Sequence, residues 1–111
     1  MKQPATGNIF DRLPDATENE LSQTLAEGTG FRVERIVSRG QASKDGFWYD
    51  QPQDEWVVVL EGRARIELEK PRRTLDLERG DWLNLPARCR HRVAWTDPEQ
   101  DTFWLAVHGL P

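Results

Sequence analysis

The sequence predicts an all-β fold of the sandwich or barrel type. From Phe31 to His108, short segments of alternating apolar and polar residues follow one another, and turns rich in Gly, Pro and Asp separate them. Alternation with a period of two is typical of strands that bury one face. No helical pattern lies between these segments, as β-α-β units would require, so a parallel sheet is not expected.

A single domain is expected. A chain of 111 residues can bury one hydrophobic core but is too short for two. The first sixteen residues are mostly polar and include Pro4 and Pro14. We predict that residues 1–30 form a short N-terminal arm that packs on a barrel formed by residues 31–111.

Residues 17–26 allow two interpretations. Thr17, followed three residues later by Glu20, has the spacing of a capping box, which predicts a short helix. The alternation from Leu21 to Leu25 predicts an edge strand instead. The expected barrel favours the strand.

The remaining strands follow in order from the alternation and the turns. They are FRVERIVS, a segment that begins at Gly46 and continues into WVVVLEG, ARIELE, TLDLE, WLNLP, HRVAW and TFWLAVH. The turns between them contain Arg39-Gly40, Gly62, Lys70-Pro71-Arg72, Arg79-Gly80-Asp81 and Asp97-Pro98. Gly and Pro end strands because Gly permits positive φ and Pro lacks the amide donor.

The direction of His91 follows from the parity of the segment RCRHRV. Arg88, Arg90 and Arg92 share one face of this segment, and Cys89, His91 and Val93 share the other. Because three arginines do not fit a small apolar interior, we expect His91 to face inward. Parity in the last strand, with Phe103 inward, predicts that His108 faces solvent, and Trp82 and Trp95 are predicted core residues.

The strand that begins at Glu55 is apolar on both faces. Val57 and Val59 share the face of Glu55, whereas Trp56, Val58 and Leu60 lie on the opposite one. Both faces therefore need a cover, either the N-terminal arm or another subunit, and we expect a homodimer. Glu55 itself is costly to bury unless it is paired or bound to a cation.

Two spacings carry a family resemblance. Gly80 precedes Pro86 by six positions and Pro86 precedes His91 by five, while Glu55 stands seven residues before Gly62. These stretches resemble the two sequence motifs of the cupins, and the resemblance covers roughly residues 31 to 109. It implies the double-stranded β-helix of that family, also called a jelly-roll barrel.

The chain differs from the cupin pattern in both motifs. In the second motif, Arg88 replaces a glycine and Trp95 replaces an asparagine. The His-x-His pair that begins the first motif is absent. Depending on the spacing to the glutamate, its places are held by Trp48 and Asp50 or by Tyr49 and Gln51.

The resemblance implies a divalent metal ion in the barrel, held by Glu55 and His91. Asp50 or Gln51 would supply an oxygen ligand in place of the missing imidazoles. The candidate ions are Mn, Fe, Ni and Zn, and oxygen ligands shift the preference toward Mn, Mg or Ca. In the structural alternative, His91 is hydrogen-bonded to a neighbouring strand and Glu55 forms a salt bridge with an arginine.

Two functions remain open at this point. A metal-dependent enzyme would use the ion as a Lewis acid on a small oxygenated molecule. A binding or sensor domain would hold a small ligand without metal and without converting it. The aromatic walls of either site are expected from Trp48, Tyr49 and Trp56.

Composition argues against several classes of protein. The net charge of −4 is unfavourable for binding nucleic acid. No apolar run of about 18 residues predicts a membrane span. The first residues lack the apolar region of a secretory signal, and a single cysteine, Cys89, cannot form an internal disulfide, so a cytoplasmic location is expected.

Overall fold

Eight β-strands account for the regular structure of the described part of the chain. The computed structural model describes residues 3–11 and 19–109. The strands are β1 (Leu21–Gly28), β2 (Phe31–Ser38), β3 (Glu55–Glu61), β4 (Arg63–Leu68), β5 (Arg73–Glu78), β6 (Trp82–Leu85), β7 (His91–Thr96) and β8 (Thr102–His108). The described residues contain no helix long and apolar enough to cross a membrane. The prediction of an all-β fold is confirmed.

The strands form two antiparallel sheets. The larger sheet has the order β1-β2-β8-β3-β6, and the smaller has the order β5-β4-β7. Apolar side chains from both sheets meet in one core, formed by Val57, Val59, Ala64, Ile66, Leu77, Leu85, Trp104 and Ala106. Eight strands in two layers of this kind are consistent with the jelly-roll barrel that the resemblance implies.

Strand β1 decides between the two interpretations of residues 17–26. Leu21 pairs with Val37 and Ser22 pairs with Ile36, so β1 is an edge strand of the larger sheet. The strand interpretation is correct because β2 would otherwise leave a row of backbone groups unpaired. Thr17, the helix cap of the other interpretation, lies outside the described residues.

Residues 3–11 contact the outer surface of the larger sheet. Arg35 lies on the outer face of β2 and is only 4% exposed. Its Nη1 donates hydrogen bonds to the carbonyl oxygens of Ile9 (2.7 Å) and Asp11 (3.0 Å). The ring of Phe10 packs edge-on against Phe103, with centroids 5.3 Å apart.

Two tryptophans that were predicted in the core lie at the surface. Trp82 is 60% exposed and Trp95 is 38% exposed. Trp82 is the register partner of Val58 on the outer face of the sheet, and its ring lies near that of Trp56 at 6.3 Å between centroids. Trp95 is paired with Arg65, whose side chain also faces outward. The prediction was wrong because bulk alone does not fix the face of a strand.

The turn between β3 and β4 depends on the absence of a side chain at Gly62. Its φ is +98°, and an added Cβ would lie 2.5 Å from Cα of Thr102 and 2.8 Å from the carbonyl oxygen of Asp101. Gly46 also has a positive φ, +79°, but nothing lies within 4 Å of an added Cβ there. A substitution at Gly46 therefore tests backbone strain alone, whereas a substitution at Gly62 tests backbone strain together with close packing.

We expect Gly62→Ala to lower the free energy of unfolding by about 3 kcal/mol or more, of which about 1–2 kcal/mol is left-handed strain and the rest is overpacking. Gly46→Ala is expected to cost only the strain, about 1–2 kcal/mol. Urea denaturation of both variants measures the difference. Equal losses would show that Thr102 does not crowd this turn.

Candidate functional site

A cavity of about 300 Å³ lies between the two sheets. Its apolar wall is formed by Ile36, Val57, Ile66, Leu85, Val93 and Trp104. Its polar lining is formed by Glu20, Ser22, Arg32, Glu34, Tyr49, Gln51, Glu55, His91 and His108. Both histidines of the chain therefore lie in one cavity.

Glu55 occupies the centre of the polar lining. It begins β3 on the face that Val57 and Val59 share, and its side chain is only 12% exposed. Its Oε1 lies 3.6 Å from Nε2 of His91, and its Oε2 lies 3.9 Å from Nε2 of His108. One buried carboxylate thus faces two imidazoles, which are the polar partners that its burial requires.

The turn that precedes β7 orients the ring of His91. Its Nδ1 lies 2.9 Å from the carbonyl oxygen of Cys89. Because a carbonyl oxygen only accepts, Nδ1 must donate, and Nε2 is left facing Glu55. Arg88, with φ of 65°, and the hydrogen bond from Cys89 N to Pro86 O (3.0 Å) shape the turn that presents this carbonyl.

The environment of His91 favours its protonated form. Burial alone lowers the pKa of this imidazole. The Glu55 carboxylate, 3.6 Å from Nε2, and the hydrogen bond to the Cys89 carbonyl together outweigh burial, so the pKa of His91 lies above its ordinary value. His91, predicted to face inward, is 5% exposed.

His108 was predicted to face solvent, and this prediction is wrong. The side chain is 7% exposed and lies on the inner face of β8 with Trp104 and Ala106. Its Nε2 is 3.2 Å from Oε1 of Glu34. The strand TFWLAVH carries apolar residues on both faces, so alternation could not fix its phase, whereas its register opposite Glu55 does.

Glu34 is a site residue that the sequence analysis missed. It lies on β2, and its side chain is 17% exposed. The one available signal was that Glu34 shares a strand face with Ile36, but Phe31, Val33 and Val37 make the opposite face the more apolar one. Pairing with β8 places the carboxylate beside His108.

Tyr49 and Gln51 line the cavity at the places of the missing His-x-His pair. Tyr49 N donates to His91 O (2.7 Å), His91 N donates to Tyr49 O (3.2 Å), and the two rings stack with centroids 5.3 Å apart. Gln51 follows two residues later and accepts a backbone hydrogen bond from Arg88 N (2.7 Å). The structure thereby selects the shorter of the two motif spacings.

Three carboxylates act on the phenol of Tyr49. Burial makes the largest contribution to raising the pKa of its phenol, and the charges of Glu20, Glu55 and Glu34 raise it further. These carboxylates come from different strands or turns, so the field is a property of the cavity and not of one neighbour.

Trp48, Asp50 and Trp56 do not line this cavity. Asp50 is exposed, and its Oδ1 lies 3.3 Å from Nη1 of Arg88. The guanidinium of Arg72 lies over the Trp48 ring at 5.6 Å from its centroid. Trp56 lies on the outer face of β3. Among the other predicted site residues, the structure brings together Tyr49, Gln51, Glu55 and His91.

The arrangement is one of pairs and not of a preformed metal cage. Throughout residues 3–11 and 19–109, no three His, Cys, Asp or Glu side chains are placed to hold one metal ion. The donor types are nevertheless those that bind divalent transition metals, namely imidazole and carboxylate. The separations of 3.6 and 3.9 Å from Glu55 are longer than direct hydrogen bonds.

The comparisons with known proteins identify the family. The model of the cupin domain matches residues 35–108, which is most of the barrel. The chain belongs to the cupin family. A search of curated proteins finds no match.

Solved structures agree with this assignment. A provisionally assigned mannose-6-phosphate isomerase from Ralstonia eutropha JMP134 is 52% identical, with a TM-score of 0.92, and the alignment covers 97% of this chain and 100% of that one. A cupin superfamily protein from Desulfitobacterium hafniense DCB-2 is 19% identical, with a TM-score of 0.70, over 92% and 93% of the two chains. HppE with Fe(II) is 14% identical, with a TM-score of 0.67, over 80% and 49%.

The raised pKa of His91 predicts a pH-dependent stability. Because the folded-state pKa lies above the unfolded value, the contribution is fully present below about pH 6.5 and is lost as pH rises through the folded pKa. We expect Glu55→Gln to lower the pKa of His91, because burial lowers this pKa and the Glu55 carboxylate no longer raises it. An NMR titration of the imidazole signals measures this pKa.

Asp50→Asn is the matched control, because it removes a carboxylate that pairs with Arg88 at the surface. This variant is expected to leave the pKa of His91 nearly unchanged. If the two variants shift it equally, then Glu55 is not the group that stabilises the imidazolium.

Proposed function

We propose that the barrel binds a small oxygenated molecule and catalyses proton transfer on it, with Glu55 and the two imidazoles as the groups that move the protons. The observation that carries this proposal is the position of Glu55 between Nε2 of His91 and Nε2 of His108 on the wall of an apolar cavity. Acid and base groups in mutual contact, in a cavity that fits a small molecule, are the usual equipment for such chemistry.

The reaction that suits these groups is isomerisation of a hydroxy-carbonyl compound. The Glu55 carboxylate would take the proton from the carbon next to the carbonyl, and the C–H electron pair would form the double bond of an enediol. A protonated imidazole would donate its proton to the carbonyl oxygen. Return of a proton from Glu55 to the other carbon, and of a hydroxyl proton to the imidazole, would complete the isomerisation.

The relative from Ralstonia eutropha supports this class of reaction. Its provisional name, mannose-6-phosphate isomerase, describes an isomerisation, and 52% identity over 97% of this chain makes a shared type of site a reasonable inference. The raised pKa of His91 also supports it, because an imidazole must be protonated to act as the acid.

A divalent metal ion is the second candidate, and the donor types favour it. Glu55, His91 and His108 would hold the ion, Gln51 would offer a carbonyl oxygen, and Mn, Fe, Ni or Zn would fit this set. When bound, the ion would polarise an oxygen of the ligand as a Lewis acid. In the described residues these side chains form pairs, at 3.6 and 3.9 Å from Glu55, and no group of three is placed around one position.

Deuterium exchange tests the proton-transfer proposal without knowledge of the product. In D₂O, a panel of aldoses and ketoses is incubated with the protein, and NMR follows the C–H signal next to the carbonyl. We expect exchange with at least one compound, and a loss of about 10²-fold or more in Glu55→Gln, which removes the base. Asp50→Asn, the surface control, should retain the rate.

His91→Asn provides a second variant in case Glu55→Gln unfolds, and circular dichroism checks both folds. Full exchange activity in a folded Glu55→Gln protein would refute the role of the carboxylate. Saturable binding with no exchange anywhere in the panel would favour the sensor function over catalysis.

Chelation separates the two candidates. We expect protein treated with a chelator, and shown by elemental analysis to be metal-free, to keep its ligand binding and exchange activity. Loss of ligand binding and of exchange activity on chelation, with recovery on adding Mn, Fe, Ni or Zn, would show that the metal-dependent candidate is correct. In that case the His91→Ala variant should no longer bind the metal ion that the wild type binds.

We further propose that the chain forms a homodimer through the outer face of the larger sheet. Trp82 is 60% exposed beside Trp56, and Val58 and Leu60 continue the same apolar face of β3. A second copy related by a two-fold axis would cover this face with the same face of its own sheet.

Sedimentation should give a mass of about twice 12.9 kDa, and the Trp82→Glu variant should give the monomer mass. A wild-type monomer would refute the dimer.

A further inference from the structure

We propose that the barrel cavity selects an uncharged, sugar-like hydroxylated molecule and discriminates against phosphate esters and other anions. This inference rests on the proposed function, because it names the class of ligand for the same cavity. It also differs from what the provisional name of the Ralstonia eutropha relative would suggest for this chain.

The charges that line the cavity are predominantly negative. Glu20, Glu34 and Glu55 contribute three carboxylates, whereas Arg32 is the one guanidinium among the lining residues. Counting a protonated His91 together with Arg32 as cations still leaves one more carboxylate than positive charges, and each imidazole faces a carboxylate at 3.2 to 3.9 Å. A phosphate monoester carries up to two negative charges and would be repelled by this lining.

Arg32 is poorly placed to hold a phosphate. Its side chain is 45% exposed, so solvent screens its charge, and its Nε lies 3.7 Å from Oε2 of Glu34. Phosphate recognition usually relies on a guanidinium free to form paired hydrogen bonds with the anion. Here the same carboxylate that contacts His108 also contacts the arginine.

The other nearby cations are committed elsewhere. Arg35 follows Glu34 on the opposite face of β2 and donates to Ile9 O and Asp11 O. Arg90 lies 2.9 Å from Glu69. The described strands and turns also offer no helix N-terminus, which is the other common site for a phosphate group.

Uncharged hydroxyl groups suit the cavity better. The carboxylates accept hydrogen bonds from hydroxyls, and the Gln51 amide and the Ser22 hydroxyl can both donate and accept. The rings of Tyr49 and Trp104 supply apolar surface for the C–H groups of a sugar.

Matched pairs of ligands test the inference directly. Mannose and fructose are compared with mannose 6-phosphate and fructose 6-phosphate, and inorganic phosphate serves as an anion alone. NMR signals of the His91 and His108 imidazoles report occupancy of the cavity at constant ionic strength. We expect each sugar to bind at least about tenfold more tightly than its phosphate ester, and inorganic phosphate to cause no saturable shift.

Glu20→Gln tests the cause, because it removes one negative charge from the mouth of the cavity and keeps an acceptor for Ser38 Oγ, now 2.7 Å away. In this variant the ratio of the two dissociation constants, phosphate ester over sugar, should fall several-fold. Asp76→Asn makes the same change of charge on β5, where Asp76 pairs with Arg65. This control should leave the ratio of the two dissociation constants unchanged.

Tighter binding of a phosphate ester, weakened in Arg32→Gln, would overturn this inference while leaving the proposed function intact, since the cavity would still hold the ligand. Unaltered discrimination in Glu20→Gln would also count against it. If neither the sugars nor the esters shift the NMR signals of His91 and His108, the assignment of a sugar-like ligand fails. The deuterium-exchange experiment then decides separately whether the proposed function also fails.

Discussion

The interior of this barrel depends on one buried carboxylate held between two imidazoles. Glu55 begins an otherwise apolar strand, and its side chain is only 12% exposed. A buried charge costs several kcal/mol unless partners compensate it. His91 from the smaller sheet and His108 from the larger one provide this compensation, so the two sheets are joined at the cavity by polar contacts as well as by the core.

The surface charges of the barrel are of a different kind. Arg65 pairs with Asp76 at 2.7 Å, but their side chains are 46% and 73% exposed. Such exposed pairs contribute at most about 1 kcal/mol each. Arg92 and Glu67, at 2.6 Å and mostly buried, form a firmer contact on the smaller sheet, outside the cavity. The surface pairs therefore add little to stability, whereas the charges of the cavity are the ones that the proposed chemistry uses.

Sequence alone predicted the fold and half of the polar cluster. The inward direction of His91 was predictable because three arginines occupy the alternate positions, and charge fixes the face of a strand decisively. Glu55 was predictable because a carboxylate at the head of an apolar strand needs a partner. The inference about His91 rests on a contrast between the two faces of its strand, whereas the inference about Glu55 rests on the cost of burying an unpaired carboxylate.

The other half of the cluster could not be predicted from alternation. In β8 both faces are apolar, and in β2 the face opposite Glu34 is the more apolar one, so the phase of His108 and Glu34 depends on pairing with neighbouring strands. The choice between the two spacings of the first motif was likewise undetermined. It is made by the backbone hydrogen bonds between Tyr49 and His91, which are long-range contacts.

The two proposals, on proton transfer and on the charge of the ligand, concern the same cavity. The carboxylate of Glu55, which raises the pKa of His91, is also one of the three carboxylates that raise the pKa of Tyr49. The proposed proton transfer and the proposed discrimination against anions therefore depend on the same arrangement of side chains.

A double-mutant cycle between Glu55 and His91 tests the central claim most directly. The free energies of unfolding of the wild type, Glu55→Gln, His91→Asn and the double variant give the coupling between the two side chains. Below about pH 6.5, where the imidazole is protonated, we predict a favourable coupling of about 1–3 kcal/mol that becomes smaller at alkaline pH. A coupling indistinguishable from zero at both pH values would contradict the account.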